Sequence, residues 1–80
     1  MNPSPERIRL TGTPIGSAVR IVDIDDSTDP RHDEQLRSYG LAPEHTIRVL
    51  QQRPMTVVLC DHAEIALEHA VACQVWVEAP

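Results

Sequence analysis

Residues 36–50 constrain the fold more than any other stretch, because they combine the signals for a helix end, a corner and a strand. Leu36 and Tyr39 are three positions apart and would share one face of a helix. Gly40 follows where helices commonly end in a left-handed residue, and the leucine after it returns an apolar contact. Pro43 cannot continue a helix. Beyond it the apolar residues recur at every second position, which predicts a half-buried strand.

The composition limits the size of the core and the class of partner. Eighty residues suffice for one domain, which buries only about 60% of the surface that the unfolded chain exposes. Because there is no Phe, one Trp and one Tyr, the core must consist of Val, Ile, Leu and Ala. Seven basic residues against twelve acidic ones give a net charge of −5, which disfavours binding to a phosphate backbone. Nucleic acid is therefore not expected as a partner.

The sequence also predicts a compartment. No apolar run approaches the roughly 20 residues that span a bilayer, and the N-terminus lacks the layout of a secretory signal. Cys60 and Cys73 are too few for a disulfide scaffold and are expected to be thiols. We therefore expect a cytoplasmic protein without direct membrane insertion.

Local patterns predict a mainly β fold. Residues 1–7 show no periodicity, so we expect a flexible tail before a single domain at 8–78. One helix is predicted at about 30–39 after an Asp29 N-cap, and one helical turn at about 68–72. Strands are expected at 17–25, 47–50, 55–61, 64–67 and 74–78. Five short strands favour a small, partly open barrel, because closure hides strand edges.

Two packing expectations follow from the first third of the chain. The strand at 17–25 has apolar residues on both faces, which indicates either two covered faces or a bulge at Ile21–Val22. Leu10 and Ile15 flank a turn signal and are expected to dock on the core.

Four short motifs follow one another along the chain. They are Leu36-x-x-Tyr39-Gly40-Leu41-x-Pro43, Ile47-x-Val49-Leu50, Ile65-Ala66-Leu67 and Ala72-x-x-Val75-x-Val77. This set resembles the FeoA domain family, which implies a small SH3-like five-stranded barrel. The resemblance further implies a non-enzymatic accessory role in bacterial ferrous iron uptake, with the cytoplasmic GTP-binding domain of a membrane transporter as partner. In the family, the same fold also occurs at the end of metal-dependent repressors, attached to a DNA-binding helix-turn-helix domain. This sequence lacks such a domain, so the stand-alone form is favoured.

The chain departs from the family pattern at two charged positions and in one loop. Glu44 stands where the family has glycine, which predicts a different turn conformation, and Glu68 stands where it has arginine. The loop between the two middle strands is shorter than in the family and lacks its Gly-Asp-Pro. The expected partner contacts are Leu41, Pro43, Glu44, Glu68 and Trp76.

The position of Trp76 leaves two interpretations open. Alternation places it opposite Val75 and Val77, hence outside the barrel, where a tryptophan can anchor a partner. Alternatively, the N-terminal segment around Ile8 and Leu10 covers the ring.

One constellation could bind a metal. It is Cys60-x-His62-x6-His69-x3-Cys73. Two imidazoles and two thiolates suit zinc or iron, which gives a second candidate function in metal binding or metal sensing. However, if Val57 and Leu59 face the core, Cys60 and His62 point outward and Cys73 can be a small buried residue. Apart from this possible metal, no cofactor is expected.

Other polar groups are expected to be structural. Asp23, Asp25, Asp26 and Asp29 lack the glycine and glutamate of a calcium loop and fit a solvated loop with one helix cap. His32 and His45 have no nearby nucleophile, and the known hydrolase and phosphate-binding motifs are missing. A third interpretation is a homo-oligomeric SH3-like protein of another purpose.

Overall fold

The computed structural model describes residues 6–26 and 29–79. Within these ranges the chain forms one antiparallel sheet of six strands, in the order β1-β6-β2-β3-β4-β5. The strands are β1 (Ile8–Arg9), β2 (Ala18–Ile24), β3 (Thr46–Gln51), β4 (Thr56–Cys60), β5 (Ala63–Leu67) and β6 (Val75–Glu78). The helices are α1 (Pro30–Ser38), α2 (His69–Ala72) and a short 3-10 turn at Leu10–Gly12.

The mainly β class and both helical segments are confirmed, and the strand count is corrected. The five predicted strands correspond to β2–β6, whereas β1 was missed because two residues are too few to show a periodic pattern. In the described sheet β1 and β5 lie at opposite ends, so the strand order does not close into a barrel. Most of the predicted 1–7 tail and part of the predicted acidic loop lie outside the described residues.

The N-terminus of α1 is capped by Asp29. The Asp29 carboxylate accepts a hydrogen bond from the Arg31 backbone N–H at 3.0 Å, and Pro30 occupies the first helical position. The Arg31 side chain also binds this carboxylate, and the two kinds of bond lower the pKa of Asp29 to about 2. The predicted N-cap is confirmed.

No helix of the described chain has both the length and the apolar character of a membrane span.

The same helix ends at Gly40, as predicted. Gly40 has a φ of +77°, and its N–H donates to the Arg37 carbonyl at 3.0 Å. The next N–H, from Leu41, reaches back to the Leu36 carbonyl at 3.0 Å. These two bonds form a Schellman motif, in which the apolar residue after the glycine packs on the last helical turn. Leu36 and Leu41 accordingly lie in one core cluster.

The aliphatic core lies on one face of the sheet, beneath α1 and α2. Its members are Leu10, Val19, Ile21, Leu36, Leu41, Ile47, Val49, Val58, Cys60, Ile65, Leu67, Val71, Ala72, Val75 and Val77. Leu10 and Ile15 were expected to dock on this core, which is confirmed for Leu10 and wrong for Ile15, since Ile15 is 65% exposed. Tyr39, on the predicted helix face of Leu36, is 42% exposed. Leu41 packs with Leu36 in place of Tyr39, and Ile15 lies in the loop that turns at Gly16.

A bulge in β2 confirms one of the two alternatives for that strand. Against β6, the register passes from Ile21 opposite Val77 to Asp23 opposite Trp76, which leaves Val22 as an extra residue. Because a bulge shifts the side-chain alternation, Ile21 is buried while Asp23 is exposed beside Trp76.

The Schellman turn yields a stability prediction. We expect Gly40→Ala to lower the free energy of unfolding by about 1 kcal/mol, because a Cβ at positive φ is strained. The space around the glycine is open, so the effect is conformational and not a clash. Urea denaturation measures it. Gly12→Ala is the control, because that site is equally open and its φ is not positive. Equal losses in both variants would contradict the assignment.

Candidate interaction site

The corner after α1 is pinned to β2 by backbone hydrogen bonds. The Glu44 N–H donates to the Ile21 carbonyl at 2.8 Å, and the Ile21 N–H donates to the His45 carbonyl at 2.8 Å. These bonds hold Glu44 at a φ of +82°, in the left-handed region that favours glycine. The glutamate that replaces the family's glycine therefore keeps a conformation suited to glycine. The corner is therefore held by backbone bonds and is exposed at Pro43, Glu44 and His45.

Arg20 connects this corner to the end of β6. Its Nη1 donates to Glu44 Oε2 at 3.0 Å, and its Nη2 donates to the largely buried carboxylate of Glu78. A buried carboxylate needs such a partner, because the desolvation of an isolated charge is costly. The Glu44 side chain is itself highly exposed, so its ion pair with Arg20 leaves it accessible.

A cleft of about 380 Å³ lies between α1, the end of β2 and the corner. Its apolar lining is Ile24, Leu36, Leu41, Ala42 and Pro43, and its polar lining includes Asp25, Asp26, Asp33, Arg37 and His45. Leu41 was expected to be a surface contact, and this is corrected, because the residue is only 2% exposed and belongs to the core. Pro43 is exposed at the corner, as expected.

Trp76 is half-buried, and the group over its ring is Arg9. The Arg9 guanidinium carbon lies 4.0 Å from the ring centroid. The indole N–H donates to Asp25 Oδ1 at 2.9 Å. The N-terminal segment thus covers the tryptophan, but with Arg9 and not with Ile8 or Leu10. Sequence reasoning missed Arg9 and this role of Asp25.

The Asp25 carboxylate joins these groups. Arg9 Nη1 donates to Asp25 Oδ2 at 2.6 Å and to the Cys73 carbonyl at 2.7 Å. The hydrogen bonds from Arg9 and Trp76 to this carboxylate lower the pKa of Asp25 below its usual range. Asp25 therefore stays ionised at neutral pH and holds both partners.

Glu68 lies between β5 and α2 as the N-cap residue of that short helix. It is exposed, and its side chain makes no capping hydrogen bond. The charge that replaces the family's arginine is therefore displayed to solvent.

The predicted metal ligands lie on different elements. Cys60 is buried, with Thr56 and Val58, so the condition that Val57 and Leu59 face the core, which would have turned Cys60 outward, is not met. The register explains this, because Val58 pairs with the buried Val49 and one step along the strand reverses the face. Burial raises the pKa of the Cys60 thiol, which disfavours the thiolate that a metal needs.

The other three candidates lie in the turn before β5 and at the two ends of α2. His62 is exposed in the turn before β5, His69 is exposed at the start of α2, and Cys73 is half-buried at its C-cap. The Cys73 thiol donates to the Ala70 carbonyl at 3.3 Å. Within residues 6–26 and 29–79 no group of three or more His, Cys, Asp and Glu side chains is arranged to hold a metal ion. The four-ligand site stays a prediction that this arrangement does not favour.

Residues 8–79 match the FeoA domain family, which is nearly the whole chain. The chain belongs to the FeoA domain family. A search of curated proteins found no match.

Solved structures agree with this assignment at the level of the fold. A FeoA described as an iron uptake regulatory protein is 23% identical, with a TM-score of 0.80 over 91% of this chain and 96% of that one. A zinc complex of Stenotrophomonas maltophilia FeoA, described as a prokaryotic SH3 domain protein, is 18% identical, with a TM-score of 0.77 over 89% of each chain. The SH3-like character of the FeoA domain is thereby confirmed.

The same fold occurs in longer proteins. A manganese-dependent transcriptional repressor is 27% identical and superposes with a TM-score of 0.87. The alignment covers 98% of this FeoA domain and 44% of the repressor, so the chain spans less than half of the repressor's length.

The backbone at Glu44 gives a second stability prediction. We expect Glu44→Gly to be more stable than Glu44→Gln by about 1 kcal/mol, because both variants lose the ion pair and only glycine relieves the positive φ. Thermal unfolding measures the difference. Glu44→Gln should stay close to the wild type, since exposed ion pairs contribute little. A glycine variant no more stable than the glutamine variant would show that the corner is unstrained.

Proposed function

We propose that this FeoA domain is a non-enzymatic accessory module of bacterial ferrous iron uptake that acts in the cytoplasm. Its partner in this proposal is the GTP-binding domain of a ferrous iron transporter. The observation that carries the proposal is the family match over residues 8–79. The likeness in fold to a FeoA described as an iron uptake regulatory protein supports it.

The exposed corner supports a role in contact. Pro43 and Glu44 protrude from a turn that two backbone bonds fix to Ile21, so little conformational entropy is lost when a partner binds. Glu68 adds an exposed charge on another element. Trp76 contributes less in this proposal, because Arg9 already covers its ring.

Binding of the purified chain to the isolated GTP-binding domain tests this proposal. We expect a dissociation constant of tens of micromolar or tighter and, for Glu68→Arg, binding weakened by about fivefold, since rim charges have modest effects. Isothermal titration calorimetry measures both values.

The control for this titration is Glu34→Arg, which makes the same charge change at an exposed position on α1. Equal weakening by both variants would reduce the effect to net charge and remove Glu68 from the contact. No binding at about 100 μM, on the order of −5 kcal/mol, would contradict the proposed partner.

A second candidate function is the binding of zinc or iron by Cys60, His62, His69 and Cys73. It is favoured by the zinc that the Stenotrophomonas maltophilia FeoA structure contains and by the manganese-dependent repressors of the same fold. In this chain His69 and Cys73 lie one turn apart around α2, while Cys60 would have to leave the core.

Thiol labelling separates the two candidates. We expect Cys73 to react with iodoacetamide faster than Cys60, because Cys60 is buried and its pKa is raised. Under the accessory function, zinc leaves both rates unchanged. Under the metal-binding function, zinc protects both thiols, and Cys60→Ser combined with His69→Ala abolishes the protection of Cys73. Mass spectrometry of the labelled peptides measures the rates.

A further inference from the structure

The Arg9 side chain occupies a site with the features that guanidinium binding requires. The Trp76 ring provides a flat surface 4.0 Å from the guanidinium carbon. Asp25 Oδ2 and the Cys73 carbonyl provide two acceptors, at 2.6 and 2.7 Å. A ring face together with acceptors at the edge is how proteins recognise a planar cation.

The walls of this site do not depend on Arg9. The Asp25 N–H donates to the Gln74 carbonyl at 2.8 Å, and the Gln74 side-chain amide donates to the Asp25 carbonyl at 3.1 Å. The indole N–H of Trp76 fixes the Asp25 carboxylate. Pairing of β2 with β6 aligns Asp23 with Trp76. The site is therefore formed by Trp76 of β6, Asp25 directly after β2 and the Cys73 carbonyl at the end of α2, without β1.

By contrast, β1 is held weakly. It has two residues, with Ile8 opposite Val77 and Arg9 opposite Trp76, and it lies at the edge of the described sheet. The Arg9 and Asp25 side chains are 44% and 42% exposed, and ion pairs of this kind contribute little to stability. Leu10, the next residue, is fully buried and anchors the chain. In the described chain, the segment that can leave the edge of the sheet without disturbing Leu10 is therefore residues 6–9.

We propose that Trp76, Asp25 and the Cys73 carbonyl form a guanidinium-binding site that Arg9 fills in the isolated chain, and that an extended segment of a partner protein takes the place of β1 there. The segment would pair antiparallel with β6, as in β-strand addition. The β1 register defines its chemistry, namely an apolar residue opposite Val77 followed directly by an arginine opposite Trp76. The net charge of −5 attracts such a cationic segment.

The test uses an arginine peptide and the tryptophan as its own probe. The chain contains one tryptophan, so its fluorescence reports on this site alone. The probe is the blocked hexapeptide of residues 6–11, titrated into the Arg9→Gln variant, in which β1 lacks the guanidinium and competes through its strand pairing with β6. We expect saturable binding with a change in Trp76 emission. A peptide with glutamine at its fourth position should bind about tenfold more weakly, a difference within the range of one cation–π contact with charged hydrogen bonds.

Two matched variants sharpen the result. Arg7→Gln makes the same change at an exposed arginine two positions earlier, and there Arg9 still competes, so the peptide should bind about tenfold more weakly than to Arg9→Gln. Asp25→Asn combined with Arg9→Gln should abolish the preference for arginine. If Arg9→Gln fails to fold, the two peptides are compared on the unaltered chain, where only the arginine peptide should change the emission.

Three outcomes would overturn the proposal. Equal binding of the arginine and glutamine peptides would remove the guanidinium from recognition, and binding without a change in Trp76 emission would place it elsewhere. Arg7→Gln keeps Arg9. If this variant self-associates, and the self-association explains the change in Trp76 emission, the site binds β1 of a second copy and not a partner protein. The test contains no transporter domain, so its result is independent of the proposed function.

Discussion

The turn that ends α1 at Gly40 is the constraint on which the rest of the fold depends. A single helix of nine residues contributes one fully buried side chain, Leu36, and this would leave the core thin. The Schellman bonds reverse the chain so that Leu41 joins Leu36 in the core. The same reversal delivers the corner to Ile21, whose two backbone bonds then start β3 in the register that buries Ile47 and Val49. Helix end, corner and sheet are thus joined by consecutive backbone hydrogen bonds.

The elements that were predictable from sequence are those encoded by local patterns. Alternation predicted β3, β5 and β6, and Gly40 predicted the helix end. The doubled apolar pattern of β2 predicted either two covered faces or a bulge at Ile21–Val22, and the structure has the bulge. Side-chain placement was harder, because it depends on long-range pairing. Cys60 illustrates this, since its burial follows from the pairing of Val58 with Val49, and a shift by one residue would have exposed it.

The candidate sites show the same division. The corner was predictable, because its residues are consecutive and carry turn signals. The cluster around Trp76 was not, because the indole binds a carboxylate 51 residues away in sequence and that carboxylate binds an arginine 16 residues away. No local pattern connects such residues. The sheet topology brings them together, since β6 lies between β1 and β2.

The two surfaces share β2 and yet are held by separate interactions. On the Ile21 side of the bulge, backbone bonds to the corner and the bonds of Arg20 to Glu44 and Glu78 fix one surface. On the other side, the bonds between Asp25 and Gln74 fix the walls around Trp76. Replacement of β1 breaks neither set, because β1 pairs with β6 and its Arg9 side chain binds the Asp25 carboxylate and the Cys73 carbonyl. A strand paired with β6 and a contact at the corner therefore use different backbone hydrogen bonds, and Asp25, which lines the cleft beside the corner and also binds Trp76, is the residue that the two surfaces share.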